Sequence, residues 1–224
     1  MKKVLGALVA TCFLNAAGSG QGAVIFELTS DANASTAQNV APGVLVTGYT
    51  RGSGLTVFAG ETFNSSGFTT NGAESDAVDN GDFITWGFTS TTALHLTSFD
   101  IRYDRSGTGP ASLRIDLNAG SGFSEVFRDP AVSATSEDNL AISLASFTNV
   151  TSATFRLVGW GASSTGGTFD FENAPAISSP ASSFQLHGEL AAVSVPEPAF
   201  VFILSTASGV ASAARFRRQR KWGL

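Results

Sequence analysis

The chain has 224 residues, of which 43% are hydrophobic and only 14% are charged. Disordered chains combine high charge with few apolar residues, so this composition excludes a largely disordered protein. Between Val24 and Val195 there are six arginines, no lysine and 17 carboxylates, which give this segment a formal charge of −11. Because an acidic surface repels a phosphate backbone, nucleic acid is not an expected partner. The one cysteine, Cys12, lies outside the segment, so no disulfide can stabilise it.

Residues 1–23 have the pattern of a secretory signal peptide. Lys2 and Lys3 precede an apolar run that ends near Leu14, and small residues follow. The run is short for a transmembrane helix, whereas it fits the hydrophobic part of a leader that the export translocon accepts. No position has the ideal pair of small residues for cleavage, and four stay open: after Ala17, Gly20, Gly22 or Ala23.

Residues 24–190 alternate apolar and polar side chains with the period of β-strands. The apolar positions are Ile84, Trp86 and Phe88; Phe99, Ile101 and Tyr103; Leu113, Ile115 and Leu117; Leu140, Ile142 and Leu144; Phe155 and Leu157; Phe169 and Phe171; Phe184, Leu186 and Leu190. Clusters of Gly, Asn, Asp, Ser and Pro separate these runs, as turns between antiparallel strands require. The pattern predicts an all-β fold, an antiparallel β-sandwich with jelly-roll topology. Trp86 is expected in its core, and residues 30–42 as loop or edge.

An acidic segment precedes the first of these apolar runs. Its carboxylates are Glu74, Asp76, Asp79 and Asp82. They could supply the oxygen ligands that Ca²⁺ prefers, although their spacing does not match an EF-hand. The alternative is a solvated acidic turn without a metal. Asp170, Glu172 and Asn173 form a second candidate of the same kind.

Charged side chains lie opposite the apolar residues on several predicted strands. They are Asp100, Arg102, Arg114, Asp116, Arg156 and Asp170. One interpretation is a set of cross-strand ion pairs on one exposed sheet, each of which contributes little to stability. The other is a shallow sugar-binding face, in which Trp160 stacks on a sugar ring beside Arg156 and neighbouring carboxylates.

Catalytic chemistry has little support in the sequence. Only His95 and His187 could carry protons near neutral pH, and His187 is expected to face solvent beside Gln185 and Glu189. No nucleophile elbow, zinc-binding helix or phosphate-binding loop occurs. We therefore predict that the protein is not an enzyme and has no catalytic residues. A secreted hydrolase, the alternative, would depend on one of the two histidines.

The C-terminal 34 residues divide into three parts. A linker over residues 191–198 carries Pro196, Glu197 and Pro198, and sixteen uncharged, mostly apolar residues follow over 199–214. Sixteen residues of helix span about 24 Å, somewhat less than a membrane core of about 30 Å, a gap that snorkelling arginines and local thinning can close. The last segment, 215–224, holds the basic residues Arg215, Arg217, Arg218, Arg220 and Lys221. Because basic residues stay in the cytoplasm, this pattern predicts a transmembrane helix with the folded domain outside.

This tail resembles the PEP-CTERM sorting signal of exported proteins of Gram-negative bacteria. Pro196, Glu197 and Pro198 match its Pro-Glu-Pro motif, and the basic cluster matches its arginine-rich end. The resemblance implies recognition by exosortase, a membrane enzyme, and a passage from the inner membrane to the cell surface or extracellular matrix. It also implies an association with exopolysaccharide. The alternative is a plain C-terminal anchor that is never processed.

Two segments of the middle carry a second resemblance. Residues 96–110, and residues 154–164 followed by 167–173, look like segments common in exported PEP-CTERM proteins. In those proteins they belong to a jelly-roll-like β domain without an assigned chemistry. The resemblance covers roughly residues 82–190 and concerns the fold. The expected protein is a non-enzymatic surface or matrix component, with a carbohydrate-binding module as the first alternative.

Overall fold

The computed structural model describes residues 22–60 and 62–191. These described residues form twelve strands and one helix: β1 (Ala23–Ser30), β2 (Ser35–Gln38), β3 (Val44–Arg51), β4 (Thr56–Val57), β5 (Phe63–Ser66), α1 (Glu74–Asn80), β6 (Phe83–Arg105), β7 (Ser112–Asn118), β8 (Phe123–Asp129), β9 (Glu137–Ser143), β10 (Val150–Trp160), β11 (Phe169–Phe171) and β12 (Phe184–Leu190). The leader before residue 22, the sorting motif, the apolar segment 199–214 and the basic tail lie outside the described residues.

The described part of the chain has no helix with the length and apolar character needed to cross a membrane.

The 23-residue strand β6 connects two sheets. Its first half pairs with β3 on one side and β10 on the other, and β10 continues to β7 and β8. We call these strands the first sheet. Its second half pairs with β12 and β9, and β12 continues to β1 and β2, which completes the second sheet. All these pairings are antiparallel, as the alternation predicted.

A bulge explains why the sequence pattern of β6 reads as two separate strands. Its buried apolar residues occupy even positions through Leu96 and odd positions from Phe99 onward. The pairing with β12 shifts at the same place, since Leu96 lies opposite Gly188 and Ser98 opposite His187. Thr97 is therefore the extra residue, and a bulged strand can bend and pass between sheets.

Aromatic side chains fill the space between the two sheets. Trp86 of the first sheet is 1% exposed and stacks on Phe155 of the same sheet, with ring centroids 5.3 Å apart. The same ring meets Phe184 of the second sheet at 5.4 Å, and Phe155 meets Phe99 at 5.6 Å. These contacts confirm the predicted core position of Trp86 and a β-sandwich-like fold. The jelly-roll topology stays a prediction.

The acidic segment folds as the helix α1, where the sequence analysis expected a turn. The Asp76 carboxylate accepts a hydrogen bond from the Ala73 backbone N–H (2.9 Å), which satisfies one free donor at the helix start. Gly81 ends the helix with a φ of +82°, a left-handed conformation that glycine adopts without strain. Residues 30–42 were expected to be loop or edge, and the short strand β2 with its flanking loops confirms this.

Candidate functional site

A small groove lies on the outer face of the first sheet. It has a volume of about 130 Å³ and is lined by five hydroxyl-bearing residues, which we call the hydroxyl groove: Thr47, Thr85, Thr89, Ser152 and Thr154. Gly87 forms its floor between them. A Cβ atom on Gly87 would lie 2.2 Å from the Ala153 carbonyl oxygen, so only glycine fits there. The groove therefore has a backbone floor and hydroxyl walls.

The hydroxyls of this groove are open to a ligand. Thr47, Thr89, Ser152 and Thr154 are exposed, and Thr85 is half-buried. Within residues 22–60 and 62–191, none of the five side chains hydrogen-bonds to another protein group. Each hydroxyl can both donate and accept a hydrogen bond, so the groove offers unused partners for a polar molecule.

Arg156 lies beside the groove, and its guanidinium contacts an exposed aromatic ring on β8. Arg156 lies directly opposite Thr85 in the β10–β6 pairing. Its guanidinium carbon is 4.0 Å from the ring centroid of Phe123, which is 40% exposed. Arg156 Nη2 donates to the Asp116 carboxylate at 2.8 Å, and this carboxylate is 3% exposed. Ion pairing and ring stacking thus hold the guanidinium in one place at the groove's edge.

The charged residues beyond Arg156 form one network. Asp116 also accepts from Arg114 Nε at 3.0 Å, and Arg114 pairs with Glu74 of α1. Glu74 in turn lies 2.7 Å from Arg128 Nη1. The prediction of cross-strand ion pairs is confirmed for Asp116 of β7 with Arg156 of β10, whereas Arg114 lies on the same strand as Asp116. Since arginines and carboxylates alternate, this part of the face carries little net charge.

Trp160 shares the face with Arg156 but not the groove. It lies four residues further along β10, on the same side of the strand and about 13 Å away at an extended rise. The Arg128 guanidinium carbon lies 5.4 Å from its ring centroid. The ring is half-buried, and Arg128 covers part of the surface that a sugar would need.

The other predicted charged residues do not share this sheet, which corrects the expectation of one exposed sheet. Asp100 and Arg102 lie on the second half of β6, and Asp170 lies on β11, which pairs with the end of that half. Arg102 pairs with Asp138 at 2.8 Å and with Glu172 at 3.3 Å. Asp100 is buried, and its carboxylate lies 3.0 Å from His187 Nε2. Asp100 and Arg102 follow the bulge in β6, so they belong to a different sheet from Arg114 and Arg156.

The expectation that His187 faces solvent is wrong. His187 is 5% exposed, and its neighbour Gln185 is 8% exposed. Alternation placed both side chains correctly on the side away from the core, but distant segments cover that side. The Gly22 carbonyl oxygen lies 3.2 Å from His187 Nδ1, and Gln185 Nε2 donates to the buried Glu27 at 2.5 Å. Because both ring nitrogens contact protein groups, His187 offers no nitrogen to a substrate. The absence of enzymatic activity stays a prediction.

The four carboxylates predicted to bind calcium have separate partners in the structure. Glu74 pairs with arginines, and Asp76 caps α1. Asp82 is buried and accepts from the Thr69 backbone N–H at 2.6 Å, whereas Asp79 is exposed. The fold does not bring these oxygens together around one point, so a calcium site there stays a prediction.

Three other carboxylates do converge, and we call them the acidic cluster: Asp104, Asp170 and Glu172. Each has an oxygen within 4.8 Å of the others. Asp104 of β6 lies directly opposite Asp170 of β11, so the sheet register creates the cluster. The sequence indicated Asp170 and Glu172 but missed Asp104. Asn173, the third predicted residue, instead bonds to the Ser30 backbone N–H and C=O, both at 2.8 Å. The three carboxylates could hold a divalent cation.

The acidic cluster is expected to make stability depend on pH. Burial, then the hydrogen bond and charge of Asp170, raise the pKa of Asp104 from 3.8 to about 7. A raised pKa in the folded state means that stability is full below about pH 4 and is lost as pH rises towards 7. Asp104→Asn removes this loss, so its free energy of unfolding should exceed that of the wild type by about 1 kcal/mol near pH 8, since partial exposure screens the effect.

Urea unfolding near pH 4 and near pH 8 measures this difference. Asp79→Asn, an exposed change outside the cluster, is the matched control and should shift stability little at either pH. An Asp104→Asn effect of the same size at both pH values would contradict the assignment.

Comparison with known proteins gives little beyond this description. No protein-family model matches the chain, and no curated protein is significantly similar to it. Among solved structures, a mutant of a family 29 carbohydrate-binding module, from work probing ligand recognition, aligns with a TM-score of 0.38 at 10% sequence identity. The alignment covers 75% of this chain and 93% of that module. A likeness at this level carries no conclusion about the present chain.

Proposed function

We propose that the folded domain is a non-enzymatic polysaccharide-binding module of an exported protein, and that it binds sugar at the hydroxyl groove. The observation that carries this proposal is the set of five hydroxyls around a backbone floor, none of them hydrogen-bonded to another side chain or backbone group among the described residues, with Arg156 stacked on Phe123 nearby. Sugars present alternating hydroxyls and apolar C–H faces, so they match hydroxyl partners beside an aromatic ring.

The size of the groove favours a polymer over a free small molecule. Pockets that enclose a small ligand usually have volumes of about 300–1,000 Å³, whereas this groove has about 130 Å³. It can take the edge of one sugar residue of a longer polymer. Trp160, which the sequence analysis placed beside Arg156 in one sugar-binding face, lies further along β10, and the buried Val158 separates the two on that side of the strand.

The charges around the groove favour a neutral polysaccharide. Arg156 and Arg114 are already paired with Asp116, so little positive charge is free to attract acidic sugars. The segment from Val24 to Val195 carries a formal charge of −11, which repels polyanions at a distance. Neutral glucans or mannans are therefore the expected class, and acidic polysaccharides the poor ligands.

Removing two groove hydroxyls is expected to weaken binding. In a Thr85→Val, Thr154→Val variant the β-branched shape and strand propensity stay, but two hydrogen-bonding groups are lost. At about 0.5–1.5 kcal/mol for each hydrogen bond, affinity should fall about tenfold. Affinity electrophoresis through gels containing dextran, β-glucan or galactomannan measures the change.

The matched control is Thr36→Val, which removes an exposed hydroxyl from β2 in the second sheet. It should bind as the wild type does. A wild type that binds none of these polymers, nor acidic ones, would refute the proposed function. Wild-type affinity in the double variant would place the site elsewhere, and Trp160→Ala then tests the far end of the face.

We infer the cellular setting from the two ends of the chain. The leader supports export through the translocon, and the PEP-CTERM-like tail supports exosortase as a partner and a final place at the cell surface or in the matrix. A domain that binds neutral polysaccharide suits that setting. Fractionation that recovered the chain from the cytosol with both ends uncut would refute this part of the proposal.

A further inference from the structure

Gly22 is held on both sides by the folded domain, although it lies within the predicted leader. Its backbone N–H donates to Thr97 Oγ1 at 3.2 Å, and Thr97 is the extra residue of the β6 bulge. Its carbonyl oxygen lies 3.2 Å from His187 Nδ1. Ala23, the next residue, pairs with Gly188 at the start of β1. The backbone of Gly22 therefore contacts two strands of the second sheet, β6 and β12.

Of these contacts, the one between the Gly22 carbonyl oxygen and His187 Nδ1 should cost the most stability when it is removed. A carbonyl oxygen only accepts hydrogen bonds, so Nδ1 donates to Gly22 when it carries a proton. The other ring nitrogen is already 3.0 Å from Asp100 Oδ2, and the second Asp100 oxygen accepts from the Ala141 N–H at 2.5 Å. Without the Gly22 carbonyl, a buried ring nitrogen in a side chain that is 5% exposed would lose its polar partner. Such groups are costly, so they are rare in folded proteins.

Another residue cannot take the place of Gly22. A Cβ atom there would lie 2.8 Å from both the Gly188 carbonyl oxygen and Thr97 Oγ1, so the position has no room for a side chain. A chain that began at Ala23 or Val24 would lack the Gly22 carbonyl, although Val24 lies directly opposite the buried His187. Either start therefore removes the polar partner of His187 Nδ1.

We infer that the leader is removed upstream of Gly22, so that the mature protein keeps this residue. The inference rests on the proposed export. Cleavage is a hydrolysis in which one water molecule is consumed, leaving a carboxylate on the leader and a free α-amino group on the mature chain. Of the four cleavage positions that the sequence left open, the inference keeps those after Ala17 and Gly20 and excludes those after Gly22 and Ala23.

The first test is the N-terminus of the full chain, expressed with its own leader in a Gram-negative host. Intact mass and N-terminal sequencing should show a start at Gly18 or Gln21, and any start between these residues and Gly22 agrees with the inference. A start at Ala23 or Val24 would overturn the inference and leave export intact. An uncut chain would overturn the export proposal and the inference with it.

The second test isolates the structural reason. A foreign leader with a defined cleavage site is fused directly to Gln21, to Gly22 or to Val24, each followed by the rest of the chain through Leu224. The first two mature proteins keep the Gly22 carbonyl and should have the same melting temperature. The protein that starts at Val24 should melt several degrees lower, or fail to accumulate. Equal melting temperatures for all three would show that the Gly22 contacts do not matter and would overturn the inference.

Discussion

Trp86→Ala is expected to lower the free energy of unfolding by about 3–5 kcal/mol, which is the usual cost of truncating a large buried aromatic side chain. The Trp86 ring is 1% exposed and lies where the two sheets meet. It stacks on Phe155 at 5.3 Å and makes edge contacts with Phe184 at 5.4 Å and Phe171 at 5.6 Å. Its removal leaves a cavity that rigid neighbours on both sheets cannot fill.

Trp160→Ala is the matched control, because the same change is made to a half-buried tryptophan on the outer face. Its cost should be about 1 kcal/mol or less. Urea unfolding followed by far-ultraviolet circular dichroism measures both variants without depending on tryptophan fluorescence. Equal losses in the two variants would contradict the position of Trp86 in the shared core. If Trp86→Ala does not fold, Trp86→Phe takes its place. Its loss in free energy of unfolding should be smaller than that expected for Trp86→Ala but still larger than that of Trp160→Ala.

Asp100→Ala is expected to destabilise the domain by about 3–5 kcal/mol, since it breaks a buried polar pair from one side. The Asp100 carboxylate accepts from the Ala141 N–H at 2.5 Å and contacts His187 Nε2 at 3.0 Å. The variant removes the partner of both groups. Ala141 is exposed, so water can replace the carboxylate there, but His187 is 5% exposed and its Nε2 is left without a partner.

Asp104→Ala is the control for this prediction, on the same strand and four residues away. Asp104 lies in the acidic cluster, where its charge is unfavourable, so its removal should not destabilise the domain above pH 7. Asp100→Asn keeps an acceptor for Ala141 and should therefore lose less than Asp100→Ala. Denaturation at pH 8 measures all three, and a similar loss for Asp100→Ala and Asp104→Ala would contradict the buried pair.

The strands and the core could be predicted because their signal is local. A strand places alternate residues on opposite sides, so the sequence alone assigned Trp86, Phe155 and Phe184 to the apolar side of their strands. The same alternation placed Arg114, Asp116 and Arg156 on a common face, and the structure pairs them. Helix α1 was missed because it has only seven residues, too few to show a helical period.

What alternation cannot report is which distant segment covers a strand. His187 lies on the outer side of β12, as its position in the sequence indicated, yet Gly22 and Asp100 meet it there from residues far away along the chain. Asp104 faces Asp170 only because β6 and β11 pair in one register, and the hydroxyl groove exists only where β3, β6 and β10 lie side by side. Amino-acid order thus assigns each side chain to a side of its strand. Which side chains are buried, which carboxylates meet and where a binding surface forms depend on pairing between strands that are far apart in the sequence. Local periodicity does not encode this pairing.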